Sequence, residues 1–570
     1  MGVILPVADY GAAYLVLQST MALLITAIAY ALYRGYRVRK MFQSLKEQGI
    51  PLMAHSMIFG HLEVIGKLMS RLPPDAHGDY MMIIIQENWK ELFPDCSKCP
   101  PVLYIDLWPF AAPMLITINP DTSCQCTQDY SLPKAHQQKR VLYPLTRNRD
   151  ISSMEGAEWK LWRRRLNPGF SIQNITSRIP DILEEVEIFV GILEARAGKR
   201  GEWGEVFLLE QATTNLAMDV ILRFFLNKRF NQQIGPRSPI TIALLDTLSR
   251  MFFYVNIFNF FSYINPWRHF KLWLNYRTLF HCLSPFLKER ILDIQQNNQV
   301  TNKTLIDLLV KSLDEEKGSG AGSDLSSNTD FLETAIGQIT TFLFAGHDTT
   351  ASTICWLFRL LEQHPDVLAK LRAEHDAILG PDPGAALRAN PQLLNSLTYT
   401  HAVLKESARV HTNVGTMRRG EPGFFLTGPP GSGPECEGKQ MPTDGFIVWD
   451  GTFAIHRSPD VWPQPDKFIP ERFLITDESD PLHPRKNAWR FFELGPRGCI
   501  GQHLAMVEIK LVMAMVVRRF DIECAWDEWD LKRNFKGPRN TVWGDRCYQV
   551  GGDTPPHVKH GMPIHVRVRS

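Results

Sequence analysis

At 570 residues the chain can form one large domain or several of ordinary size, and its 44% apolar content is enough for a sizeable core. Lys and Arg number 62 against 60 Asp and Glu, so the basic excess expected of a nucleic-acid-binding protein is missing. The ten cysteines are dispersed, and Cys96-Ser-Lys-Cys99 is followed by no second pair at zinc spacing, so both read as loop residues rather than a disulfide or metal framework.

Residues 1–9 read as a short lumenal N-terminus and residues 10–33 as a transmembrane anchor. No charge falls between Asp9 and Arg34, and 24 residues make about 36 Å of helix against a hydrocarbon core of ~30 Å. Arg34, Arg37, Arg39 and Lys40 follow at once, which puts this end in the cytoplasm and predicts a single pass. Ala27-Ile28-Ala29 could serve as a signal-peptide cleavage site, but no basic stretch precedes it and the apolar run is too long. Residues 34–60, with Gly49, Pro51 and Gly60, read as a basic linker and hinge, and residues 61–570 as the catalytic domain. Val102–Leu107 predicts a strand. Helical periodicity dominates from about residue 211 to 312, and the Phe-rich stretch Met251–Phe261 within it reads as core packing ahead of a substrate-pocket role. Asp314–Asp330, with Gly-Ser-Gly-Ala-Gly, predicts a flexible loop, Phe331–Gln363 one long apolar helix, and Pro422–Pro442 an extended surface loop. The balance is mainly α with a few short strands.

Three stretches carry chemistry. Ala345-Gly346-His347-Asp348-Thr349-Thr350 places a glycine, an acid and two hydroxyls inside the long apolar helix. Glycine there loses ~1 kcal/mol against alanine, and buried polar groups need partners, so a locally unfavourable choice marks a functional site. Glu406 and Arg409 lie three apart on one helical face, upstream of Pro470-Glu471-Arg472-Phe473. The run Phe492-Glu493-Leu494-Gly495-Pro496-Arg497-Gly498-Cys499-Ile500-Gly501 sets one cysteine just before an apolar helix. The positive helix end and free N–H groups there favour a thiolate, and such a thiolate can ligate haem iron and promote O–O cleavage. The glycines would let the backbone approach a flat macrocycle.

With F-x-x-G-x-R-x-C-x-G matched at every fixed position, the chain resembles the cytochrome P450 family, and the resemblance extends over nearly its whole length. It implies one large helical domain with a small β-rich lobe behind the anchor, and haem b held between two long helices with Cys499 as the thiolate ligand and Phe492 in the same loop. It implies that Gly346 opens the helix groove for dioxygen, that Thr349 donates a hydrogen bond where oxygen is activated, and that Asp348 relays protons. Trp159 and Arg163, in Trp-Lys-Leu-Trp-Arg, match the propionate-binding helix, with Arg497 and Arg418 as further propionate partners. Arg472 joins Glu406 and Arg409 in a buried ion network that serves folding. The family departs from this chain after Arg409, where Val-His-Thr-Asn stands in place of the usual proline, and in the Pro422–Pro442 insertion.

The implied function is a monooxygenase of the endoplasmic-reticulum membrane with its catalytic domain in the cytosol. It would insert one atom of O2 into an apolar small molecule. Electrons would come from a separate NADPH-cytochrome P450 reductase, since no G-x-G-x-x-G fingerprint is present. The wording around the helix motif, the Cys499 loop and Gly544–Tyr548 is similar to filamentous-fungal members of secondary-metabolite pathways, which implies a polyketide or terpenoid substrate. An O2-independent haem-thiolate rearrangement or dehydration, and a non-catalytic membrane haemoprotein, are the two competing classes. The Asp348-Thr349 pair speaks against both. On the cytosolic side, Asn174-Ile-Thr176 and Asn302-Lys-Thr304 would not be glycosylated.

Overall fold

The computed structural model describes residues 9–252, 259–297, 304, 306–307, 328–551 and 556–569. The loop expected over Asp314–Asp330 lies outside these residues except for its last three, as do Asn302 and most of Met251–Phe261.

The first helix, α1 (Asp9–Glu47), does not stop at Tyr33. Residues 14–34 are exposed, with a mean hydropathy of 1.9 in the apolar window. The helix then continues through residues read as a linker and docks on the globule: Val38, Phe42 and Leu45 are buried against Val448, Leu426 and Met441. Arg39 pairs with Asp106, which is fully buried. Gly60, read as part of the hinge, lies beside this ion pair. At φ +59 it lets the chain pass beside that pair, where a Cβ would come within 2.9 Å of the Asp106 carboxyl carbon.

Beyond the anchor, the helices that carry the argument are α2 (Gly156–Leu166), α3 (Ile179–Arg196), α4 (Leu209–Leu226), α5 (Pro239–Leu248), α6 (Pro266–Asn297), α7 (Thr329–Gln363), α8 (Thr398–Val410) and α9 (Gln502–Val516). Helix α7 starts where the Asn328 side chain accepts from the Phe331 N–H at 3.1 Å and stops before Pro365. Its apolar faces meet α4 and α9, which α3 also packs against, in a main core that includes Leu183, Phe189, Leu222, Phe225, Ile339, Leu343 and Val512. Each side chain of this kind contributes about 1.5–3 kcal/mol on burial.

The strands are β1 (Val102–Ile105), β2 (Met114–Thr117), β3 (Phe207–Leu208), β4 (Thr416–Arg419), β5 (Phe425–Thr427), β6 (Gln440–Pro442), β7 (Ile447–Asp450), β8 (Phe520–Cys524), β9 (Gln549–Val550), β10 (His557–Val558) and β11 (Pro563–Val568). The main sheet runs β1-β2-β7-β4, with only β2 and β7 parallel. β1 and β2 are buried along their whole length, as their unbroken apolar runs predict. The Pro422–Pro442 stretch is not simply an extended surface loop. Its ends pair as β5 and β6, Leu426, Cys436 and Met441 are buried, and Lys439 Nζ donates to the Gly49 carbonyl beside the end of α1 at 2.6 Å.

Candidate active site

The Cys499 loop is built by backbone bonds. The Cys499 N–H donates to Phe492 O at 2.8 Å and the Gly498 N–H to Gly495 O at 3.0 Å. Gly495, at φ +95, is required by a protein neighbour: a Cβ there would stand 2.3 Å from the Thr127 carbonyl oxygen. A Cβ on Gly501 would lie 3.9 Å from the sulfur, an ordinary van der Waals contact, so Gly501 lies beside Sγ without being required by it. Phe492 packs edge-on against Phe491, with ring centres 4.9 Å apart. Cys499 is accessible although the surrounding chain encloses it, and burial pushes its thiol above the ordinary value. The N–H groups of Gly501 and Gln502 and the Arg163 charge favour the thiolate without overcoming that burial. The free thiolate expected from the helix end is therefore not what the protein alone supplies. A bound metal ion would complete the ionisation. Cys355, by contrast, is sealed in α7 with its sulfur 3.5 Å from Thr213 Oγ1.

The predicted cations meet beside this loop. Arg163 Nη1 donates to Gly498 O at 2.9 Å. Arg497 lies over the Trp159 ring at 4.1 Å, bonds Met154 O at 2.9 Å and pairs with Glu155. Arg418, on β4, donates to Leu132 O at 3.0 Å and pairs with Glu493, while its Nε is buried with no partner. Lys134, which no motif flagged, completes the group: its Nζ donates to Thr416 Oγ1 at 2.8 Å and lies 3.6 Å from Glu493. Burial pushes Arg497 down to about 10 and Lys134 down to about 8. Among the described residues, four cations thus face two carboxylates, Glu155 and Glu493. Two buried positive charges are left over, an expensive arrangement unless an anion is bound. Haem carries two propionates, so Arg163, Arg418, Arg497 and Lys134 fit that group in number and sign, and Cys499 fits its iron.

On α7, Ala345 is exposed in the middle of an otherwise buried helix. A Cβ on Gly346 would meet Ile221 Cδ1 of α4 at 2.8 Å, so its missing side chain lets α4 and α7 pack closely at this point. Thr349 Oγ1 donates to Ala345 O at 2.9 Å. The Thr349 carbonyl accepts from Asn413 Nδ2 at 3.0 Å and from Thr353 Oγ1 at 2.7 Å. Asn413 belongs to the segment that departs from the family pattern. Asp348 lies on another face of α7, toward His557 at 3.6 Å.

The folding network is assembled as expected. Glu406 accepts from Arg409 Nε at 2.8 Å and Nη2 at 2.9 Å, and from Arg472 Nε at 3.2 Å, with all three side chains fully buried. Arg409 also donates to the carbonyls of His456, Pro465 and Lys467, which ties α8 to the loop ahead of Cys499.

A sequence profile described as Cytochrome P450 matches residues 78–541. The chain is 38% identical over 534 residues to the cytochrome P450 monooxygenase polC of Polytolypa hystricis, covering 93% of this chain and 92% of that one. It is 30% identical over 526 residues to the cytochrome P450 monooxygenase acrF of Aspergillus aculeatus, covering 88% and 99%. Its fold is similar to the crystal structure of the cytochrome P450DA heme domain, with a TM-score of 0.65, 19% identity, and coverage of 91% of this chain and 98% of that one.

Proposed function

The chain belongs to the cytochrome P450 family and is a haem-dependent monooxygenase, and on that premise we propose that it oxidises an apolar small molecule, using haem held by Cys499, at the face of an internal membrane. P450 monooxygenases use O2 and a redox partner. The partner proposed here is NADPH-cytochrome P450 reductase, and the substrate an apolar polyketide or terpenoid intermediate of secondary metabolism.

The observation that carries the reading is the pairing of Cys499 with the two surplus charges of the Arg163, Arg418, Arg497 and Lys134 cluster. When bound, haem supplies the redox chemistry that activates O2. The chain's own residues do the rest. Cys499 Sγ, which is accessible, would hold the iron. Arg163, Arg418, Arg497 and Lys134 would bind the propionates, and Trp159 would fix the plane of Arg497. Thr349 Oγ1, which donates to the Ala345 carbonyl, would donate a hydrogen bond where oxygen is activated. Asp348 would supply protons from the solvent side. That need for protons favours O2 chemistry over an O2-independent rearrangement. Val414, exposed next to Asn413, gives this end of the site an apolar surface.

The proposed membrane arrangement is a single-pass anchor in the endoplasmic reticulum, with the catalytic domain in the cytosol. Its support is the exposed apolar part of α1 and two further exposed apolar groups. Met57, Ile58 and Phe59 sit where Arg39 Nη2 donates to Ile58 O at 3.2 Å, and Phe261, Trp267 and Trp273 stand at the start of α6. Phe260 and Phe261 are therefore surface residues and not the core packing expected of the Phe-rich stretch. The test is O2 and NADPH consumption by membranes carrying the chain with added reductase and a panel of apolar substrates. Reductase-dependent consumption with an oxygenated product supports the reading. A product formed without O2 or reductase would favour the rearrangement class.

A further inference from the structure

Asp348 faces a cavity of about 480 Å³ on the side of α7 that packs toward α4 and α5. Its walls include Glu210, Arg237, Leu245, His347, Asp348 and His557. Strand β10, which pairs with β9 near the end of the chain, delivers His557 into this space. Its Nδ1 is 3.0 Å from Glu210 Oε1 at the start of α4, and its Nε2 is 3.6 Å from Asp348 Oδ1. Glu210 also accepts from the Val558 N–H at 3.3 Å, which fixes the strand as well as the ring. One imidazole thus stands between two carboxylates from two helices, beside a space large and polar enough to hold water.

We propose that His557, fixed by Glu210, is a positioning residue that holds the Asp348 carboxylate on the cavity side of α7, where it can pass protons from cavity water to the reaction inside. This rests on the monooxygenase reading above and extends it to the route by which protons enter. His557 acts through Asp348: its contacts are with Glu210 and Asp348 and not with the sulfur loop. At 3.6 Å the pair is within ion-pair range.

The charges around the ring agree. Burial lowers the basicity of His557, but the Glu210 hydrogen bond and the Asp348 charge outweigh it and push the group up to about 9. His347 beside it on α7 is held neutral by burial, with its Nδ1 on Leu343 O at 2.7 Å. His560 and Arg237 are the other titratable or charged groups on the cavity wall. Lys559 turns away toward Asp75 and Tyr548.

The test is a histidine NMR titration of the full-length, haem-loaded protein labelled at imidazole carbons, with His557→Gln used to assign the signal. His557 is expected to titrate near 9 in the wild type and about one unit or more lower in Asp348→Asn and in Glu210→Gln. Titration near 6.5 in the wild type, or no response to Asp348→Asn, overturns the proposal. A second readout separates positioning from a structural role. In His557→Gln with normal haem content, the solvent deuterium isotope effect on NADPH-dependent O2 consumption should rise. An unchanged isotope effect also overturns it. The titration does not depend on turnover, so its failure is distinct from a failure of the monooxygenase reading.

Discussion

Arg39 of the anchor helix and Asp106, just past β1, form an ion pair sealed from solvent, with His55 Nε2 2.9 Å from the same carboxylate. Burial alone would raise the Asp106 carboxyl, but the His55 and Arg39 hydrogen bonds bring it below its ordinary value. The anchor is thereby joined to the sheet that carries Arg418, rather than to a loose tether. Removing one partner of such a pair costs about 3–5 kcal/mol, because the other is left buried and uncompensated. Arg39→Ala should therefore lower the thermal midpoint and open the 48–60 segment to limited proteolysis. An unchanged midpoint and cleavage pattern would show that the pair does not hold α1.

Glu406 serves two arginines, so it is the most sensitive point of the folding network. Glu406→Ala leaves Arg409 and Arg472 as unpaired buried charges. The expected outcome is protein without bound haem, read as loss of Soret absorbance per polypeptide. Recovery of normal haem occupancy would sink the assignment.

Gly346 makes a prediction that differs from the usual expectation for a glycine beside dioxygen. If its role is contact with Ile221, Gly346→Ala should destabilise the protein by about 1–3 kcal/mol through overpacking between α4 and α7. The double variant Gly346→Ala with Ile221→Ala should recover part of that loss. Calorimetry checks both, and no rescue in the double variant would return Gly346 to the oxygen groove.

Glu508, buried in α9 with Oε1 unpartnered, is pushed up from 4.5 to about 8 by burial. The folded chain therefore binds this proton more tightly than the unfolded chain. The contribution to stability is present below pH 4.5 and is lost as pH rises toward about 8. Glu508→Gln should flatten that decline in thermal midpoint against pH. A decline of the same slope in the variant would place its origin elsewhere.

What could be read from sequence was chemistry written in fixed local spacing. The Cys499 loop, the Asp348-Thr349 pair and the Glu406–Arg409 pair are each a few residues long, and the structure brings Arg163, Arg418 and Arg497 together as the family resemblance implies. Charge balance was not legible. Lys134, Glu155 and Glu493 are ordinary residues in their local context, and only folding puts them beside the predicted arginines. The His557–Glu210 contact joins residues 347 apart, with no pattern at either end. The extension of α1 was missed because arginines and glycines read as punctuation, while Val38, Phe42 and Leu45 bury a face that the basic residues between them obscure.

The most direct test of the central claim is a reduced carbon-monoxide difference spectrum on membranes carrying the full chain, beside Cys499→Ala. A red-shifted thiolate Soret band in the wild type, absent from the variant, is the predicted result and makes Cys499 the axial ligand. A band of the neutral-ligand kind in well-expressed wild type, or a thiolate band that survives in Cys499→Ala, would contradict it.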